Sequence, residues 1–126
     1  MNREIKFKGK RLDNEEWMYG DLLHLVDGVY ISNDNGCNMA QVDPDTVGQY
    51  TGLKDKNGKE IYWGDILAHN GEAIGYVVDD VRGYCFDVVY ISPEYGVSYS
   101  LYGVVVNDFQ GDVDIVGNIF DKEVLP

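Results

Sequence analysis

Thr51-Gly52-Leu53-Lys54-Asp55-Lys56-Asn57-Gly58-Lys59-Glu60-Ile61-Tyr62-Trp63-Gly64-Asp65-Ile66-Leu67 is the stretch on which the reading of the fold turns. Asn57-Gly58 is the strongest hairpin signal in the chain, because both residue types tolerate the positive φ of a tight type I′ turn. Lys59 to His69 then carries the β-branched and aromatic content of a long strand, interrupted at Gly64-Asp65. A glycine inside a strand marks a bulge or a close approach of backbone. A weaker copy runs from Asp13 to Leu23. A shift of 44 residues places Glu16, Gly20, Asp21 and Leu23 on Glu60, Gly64, Asp65 and Leu67. The sequence therefore predicts a chain built around two uses of one turn, strand and bulge.

The rest of the chain reads the same way. Ile5 and Phe7 alternate with Lys6 and Lys8, the period of a half-buried strand. Glu16 to Val26 is apolar on both faces, so it is either buried on both sides or re-aimed by a bulge at Gly20. Asp27-Gly28 and Asn70-Gly71 are further hairpin signals. Asp43-Pro44-Asp45-Thr46 is a turn able to cap a single helical turn. Strands are predicted at 29–32, 39–42, 72–79, 84–91, 97–106 and 113–120. No stretch of ten residues keeps a 3.6 period. The expected fold is mainly β, a single domain over 1–126, barrel-like or sandwich-like, with few or no long helices.

Composition bounds the function. The net charge is -12, which repels nucleic-acid phosphates and anionic membrane surfaces. The cations cluster: Arg3, Lys6, Lys8, Lys10 and Arg11 near the start, Lys54, Lys56 and Lys59 in the central turn. The bland account of the first group is that lysines keep an edge strand soluble and unpaired. Cys37 and Cys85 form no disulfide framework, the charged N-terminus lacks the apolar core of a signal peptide, and no apolar run approaches the ~20 residues of a membrane span. A protein of a reducing cytoplasm is expected.

No catalytic constellation stands out. Asp21 and Asp65 could pair as metal ligands or as acid and base. The simpler account is structural: glycine permits the bulge, and the next carboxylate accepts the N–H groups that the broken ladder frees. His24, His69, Cys37 and Cys85 match no zinc spacing. The acidic pairs Asp43/Asp45, Asp79/Asp80 and Asp112/Asp114 do not follow the calcium-loop order. Cys85, between Tyr84 and Phe86, reads as core packing rather than a nucleophile. Tyr84, Tyr90, Tyr95, Tyr99 and Tyr102 lack the neighbouring cations of a base-stacking platform. Neither metal nor cofactor is expected. Lys54, Lys56, Lys59 and Trp63 are the candidate interaction residues, Trp63 as core filler or as an aromatic anchor for a partner.

With those residues read, a resemblance can be stated. Val42 to Tyr62, followed by Gly64-Asp65-Ile66, resembles the signature of the YopX family of phage and prophage proteins. Arg3 to Lys10 and Ile115-Val116-Gly117-Asn118-Ile119-Phe120 are similar to that family's two ends. Trp63 departs from the family, which more usually has a glutamate there. The resemblance implies a mainly β fold with intertwined halves and a small phage or prophage protein of the host cytoplasm. It implies no activity, cofactor or catalytic residue. The expected function is thus a non-enzymatic interaction module that binds a host or phage protein and self-associates through strand edges. Two other functions fit the same residues: an acidic mimic of DNA that occupies a host DNA-binding protein, and a metal-dependent hydrolase built on Asp21 and Asp65. Direct nucleic-acid binding by the basic first strand is opposed by the net charge.

Overall fold

Lys6, Lys8 and Lys10, at and just before the first strand, each lie over an aromatic ring. In a computed structural model, which describes residues 6–33, 38–79, 86–90 and 98–121, Lys8 Nζ lies 4.5 Å and Lys10 Nζ 5.5 Å from the centroid of Trp17, and Lys6 Nζ lies 5.3 Å from that of Tyr50. A cation over an aromatic face is attracted by the ring quadrupole, and the lysine stem covers apolar surface. Strand β1 (Phe7–Lys10) is not an edge. It pairs on one side with β2 (Trp17–Leu25) and on the other with the start of β5 (Gly48–Lys54). Lys8 is only 6% exposed. The edge-strand account of these lysines is corrected: β1 is flanked by strands on both sides, Lys8 is buried, and all three lysines lie over aromatic rings.

The chain divides into two compact units, residues 1–50 and 51–126. In the first, β2 is followed by β3 (Gly28–Asn33), β4 (Asn38–Val42) and a single 3₁₀ turn at Pro44–Thr46. The order is β4-β3-β2-β1-β5, antiparallel throughout. Asp43 caps the 3₁₀ turn, its Oδ1 accepting the Asp45 N–H at 3.0 Å, as the Asp-Pro-Asp-Thr run predicts. Met18, Ile31 and Val42 form the core of this unit, with Phe7, Leu22 and Val29 against it.

Gly20 is the pivot of that sheet. Residues up to Gly20 pair with β1; from Asp21 onward β2 pairs with β3. The φ of Gly20 is +155°, and a Cβ there would stand 2.1 Å from the carbonyl oxygen of Ser32. A strand can pass between two neighbours this closely only without a side chain. This answers the two-faced apolar pattern of 16–26: β2 serves one partner, then another. The sheet curls enough for β4 to meet the end of β1, at an isolated bridge between Arg11 and Val42 and at Leu12 N–H to Gln41 O, 3.1 Å. One bridge is not a ladder, so the expected barrel is present as a curled sheet rather than a closed cylinder.

In the second unit, β5 beyond Tyr50 lies beside β6 (Glu60–Tyr62). Then β7 (Asp65–His69), β8 (Glu72–Asp79), β9 (Phe86–Tyr90), β10 (Ser98–Ser100) and β11 (Asp114–Asn118) form a five-stranded antiparallel sheet, ordered β10-β9-β8-β7-β11. The predicted strand 59–69 is therefore two strands in two sheets, separated at Trp63-Gly64. Asn70 and Gly71, with φ of +52° and +84°, make the predicted hairpin turn. The predicted strand 97–106 stops at Ser100 and becomes a π-helical turn over Gly103–Asp108. Its buried residues Leu101, Val104 and Val105 recur at helical spacing, which a short apolar run of valines does not distinguish from a strand. Those three pack with Ile61, Leu67, Val77, Val88 and Val113 as the core of this unit.

Gly20→Ala is expected to lower unfolding free energy by roughly 2–4 kcal/mol, since Cβ and the Ser32 carbonyl cannot both keep their places. Urea unfolding measures it; a change within the scatter of exposed substitutions would be inconsistent with the close approach. At the β1–β2 turn, Arg11 donates to both oxygens of Asp13, at 2.9 and 2.7 Å. Those hydrogen bonds hold the Asp13 carboxyl below its ordinary range against the opposing effect of desolvation, and the guanidinium charge adds a smaller contribution in the same direction. The pair is intact above the ordinary aspartate range and is lost as pH falls through the lowered value. Arg11→Ala should move the Asp13 titration upward in a carboxyl-resolved NMR experiment.

Candidate interaction site

The central turn is held by one carboxylate. Asp55 is 6% exposed, and its Oδ1 accepts the N–H groups of Asn57 and Lys59, each at 2.9 Å. Its Oδ2 accepts the N–H of Ile115 in β11 at 3.2 Å. Asp55 N–H and the Lys59 carbonyl close the loop at 2.8 Å, and Gly58 N–H returns to the Asp55 carbonyl at 3.0 Å. Aspartate suits this place because a short carboxylate reaches its own turn and has two oxygens to share. Lys56 N–H donates to the Val113 carbonyl at 2.9 Å, and Asn57 Nδ2 to Asp114 Oδ1 at 3.0 Å. The loop is thus docked on the last strand by backbone and side chain alike.

The three lysines of the loop have different fates. Lys56 Nζ stands 3.3 Å from Asp114 Oδ2 and 3.8 Å from Asp112 Oδ1. A half-exposed pair of this kind contributes at most about 1 kcal/mol. Lys54 and Lys59 are exposed and, among the described residues, form no ion pair. They flank a loop whose backbone is fixed.

Trp63, Gly64 and Asp65 form the second locked point. Asp65 is 1% exposed. Its Oδ2 accepts the Tyr62 N–H at 2.7 Å and its Oδ1 accepts Asn118 Nδ2 at 3.0 Å. Gly64 has φ of +87°, and its main chain spans neighbours: its N–H donates to Val77 O and its carbonyl accepts Ile119 N–H, both at 2.9 Å. Asn118 Oδ1 in turn accepts the Phe120 N–H at 3.0 Å. The Trp63 ring lies 5.6 Å from that of Phe120 and packs on the core. Both Asp65 oxygens serve the fold, and the carboxylate is closed to solvent. Asp21, its counterpart in the repeat, is exposed. Trp63-Gly64 is a tight turn between two strands, with Asp65 opening the second, whereas Gly20-Asp21 is a handover within one.

The remaining candidates are dispersed. His24 is exposed on β2. His69 shares Asp112 through its Nδ1, 2.7 Å from the main-chain carbonyl, and stacks 4.6 Å from Phe109. Asp112 and Asp114 face Lys56 and His69 rather than a free ion. Asp43 caps its turn, and Asp45 is exposed. Cys37, Cys85, Tyr84 and Tyr95 lie outside the described residues, as do the side chains of Asp79, Tyr90 and Tyr99; Tyr102 is exposed. Among the described residues no three His, Cys, Asp or Glu side chains are grouped to hold a metal ion, and no helix is long and apolar enough to cross a membrane.

Sequence reasoning missed the partners Asp114, Ile115 and Asn118. One signal was available: Val42 to Ile66 and Ile115 to Phe120 are both among the runs that resemble the YopX family, and the structure joins them through Asp55 and Asp65. The molecule is a mainly β protein of two antiparallel sheets, with a loop pinned to its last strand by buried carboxylates. A family model described as YopX protein matches residues 2–125, and the chain belongs to the YopX family. No curated protein matches it.

Asp55→Ala should cost roughly 2–4 kcal/mol in urea unfolding, because three N–H groups lose their acceptor at once. Asp55→Asn keeps one acceptor oxygen and should cost less. Lys54→Ala and Lys59→Ala should stay within about 0.5 kcal/mol of wild type. If Asp55→Ala behaves like the lysine variants, the carboxylate does not hold the loop.

Proposed function

We propose that this protein is a non-enzymatic accessory protein of a phage or prophage, working in the host cytoplasm by binding an acidic protein surface through the 54–59 loop. The observation that carries this reading is the pairing of rigidity with free charge. Asp55 fixes the loop backbone through three N–H groups, and Lys54 and Lys59 stand exposed on it without an ion pair among the described residues. A preordered loop loses little conformational entropy on binding. Two free cations on a chain of net charge -12 form a local field that steers an acidic partner to one place. Family membership supports the setting: the resemblance to phage and prophage proteins runs through this same loop. Self-association belongs to the same reading, since a second copy offers acidic surface to the lysines.

The hydrolase alternative loses its motive, because Asp65 is buried with both oxygens occupied by Tyr62 and Asn118. The DNA mimic requires an unbroken run of free carboxylates over 72–114. Asp112 and Asp114 are shared with Lys56 and His69, while the side chains of Asp79, Asp80, Asp87, Glu94 and Asp108 lie outside the described residues.

Affinity capture from host lysate, with and without infection, tests the proposal when wild type is run beside Lys54→Glu/Lys59→Glu. Wild type should retain a specific protein that the double variant loses, and raised salt should weaken the capture. A monomeric protein that retains nothing, or a partner held equally by both versions, would sink it.

A further inference from the structure

Asn57-Gly58 carries a chemistry that its neighbours lack. In an Asn-Gly sequence the glycine nitrogen can attack the asparagine side-chain carbonyl, because no Cβ crowds the approach. Gly58 has φ of +81° and nothing within 4 Å of where a Cβ would stand, and both residues are exposed. Two hydrogen bonds hold the reaction back while the loop is docked. Asn57 Nδ2 donates to Asp114 Oδ1 at 3.0 Å, and the attacking nitrogen, that of Gly58, donates its hydrogen to the Asp55 carbonyl at 3.0 Å.

We propose that Asn57 is a self-modifying site acting as a one-way latch: when the 55–59 loop lifts from β11, Asn57 cyclises and hydrolyses to a carboxylate that keeps the loop from seating again. Gly58 N gives its proton to a solvent base and bonds to Asn57 Cγ. The Cγ–Nδ2 bond breaks and ammonia leaves. Water then opens the cyclic imide at either carbonyl, giving aspartate or its isoaspartyl isomer. Overall one side-chain amide and one water become one carboxylate and one ammonium, with no redox change and no cofactor.

The docked structure says what the product does. A donor that met Asp114 Oδ1 becomes an ionised acceptor facing another carboxylate. Lys56 already serves Asp112 and Asp114 and is left to screen a third charge. The isoaspartyl form also lengthens a main chain that must keep Lys56 N–H on the Val113 carbonyl and the Asp55 carboxylate on the Ile115 N–H. None of this rests on the loop having a partner protein.

The test uses the full chain at mildly alkaline pH, with peptide mass spectrometry at Asn57 and at Asn70 as an internal reference. Asn70-Gly71 is the same dipeptide in an exposed hairpin, its Nδ2 meeting only His69 Nε2 at 3.3 Å among the described residues. In wild type, Asn57 should lag Asn70; Asp114→Ala should speed Asn57 and leave Asn70 unchanged. Equal Asn57 rates in the two proteins, or the same acceleration at both sites, would overturn the protection. Separately, Asn57→Asp should speed hydrogen exchange at the Lys56 and Ile115 amides, and adding Asp114→Asn should restore their protection. Unchanged exchange in Asn57→Asp, with the Asn70 hairpin as control, would overturn the latch.

Discussion

A main-chain N–H that leaves its ladder inside a protein must find another acceptor, at a cost of about 1–3 kcal/mol if it fails. Among the described residues of the second unit, two buried carboxylates meet this constraint. Where the chain turns back between β5 and β6, Asp55 takes three N–H groups. Where it leaves β6 for another sheet, Asp65 takes that of Tyr62 and is itself met by Asn118. Each acid also reaches β11, so the last strand is held to the middle of the chain by the same groups that satisfy the turns. The core valines and leucines supply the apolar burial of this unit. The carboxylates add directional hydrogen bonds that favour one register of β11.

That arrangement separates two kinds of charge in one short loop. Asp55 is inside and structural. Lys56 is half-exposed and bound to Asp114 of β11. Lys54 and Lys59 are outside, on backbone that the buried acid has fixed. A loop on this plan presents cations at defined places, which a flexible loop of the same composition does not. The function proposed for it follows from this division, and so does the chemistry proposed for Asn57, whose amide lies where the loop is fastened.

The first unit solves a different problem. One strand must serve two partners in succession, and Gly20 lets β2 pass within reach of the Ser32 carbonyl while it changes from β1 to β3. The sequence repeat at Gly64 is real as a pattern of residues, yet glycine has a different use there. At Gly64 it supplies a positive φ for a turn, and at Gly20 it supplies the absence of a side chain. Local sequence similarity does not carry backbone conformation when the neighbours differ.

Much of the architecture was legible before any coordinates. Alternating apolar residues and the Asp-Gly and Asn-Gly pairs located β2, β3, β7 and β8, with the Asn70-Gly71 turn in place and the β2–β3 turn one residue earlier than Asp27-Gly28, at Val26-Asp27, because strand period and turn chemistry are local properties. Asp43-Pro44-Asp45-Thr46 announced its capped turn for the same reason. The sequence also determined that Gly64-Asp65 was a place where a ladder breaks. What it could not determine was who sits next to whom. Whether the lysines of β1 guard an edge or lie on Trp17 and Tyr50 depends on strand order. Whether Leu101 to Val105 continues a strand or coils depends on which core it meets. That Asp55 and Asp65 both reach β11 depends on pairing across some fifty to sixty residues. These are non-local contacts, and residue type at one position carries no label for its partner at another; only the folded chain, by bringing them within hydrogen-bonding distance, decided them.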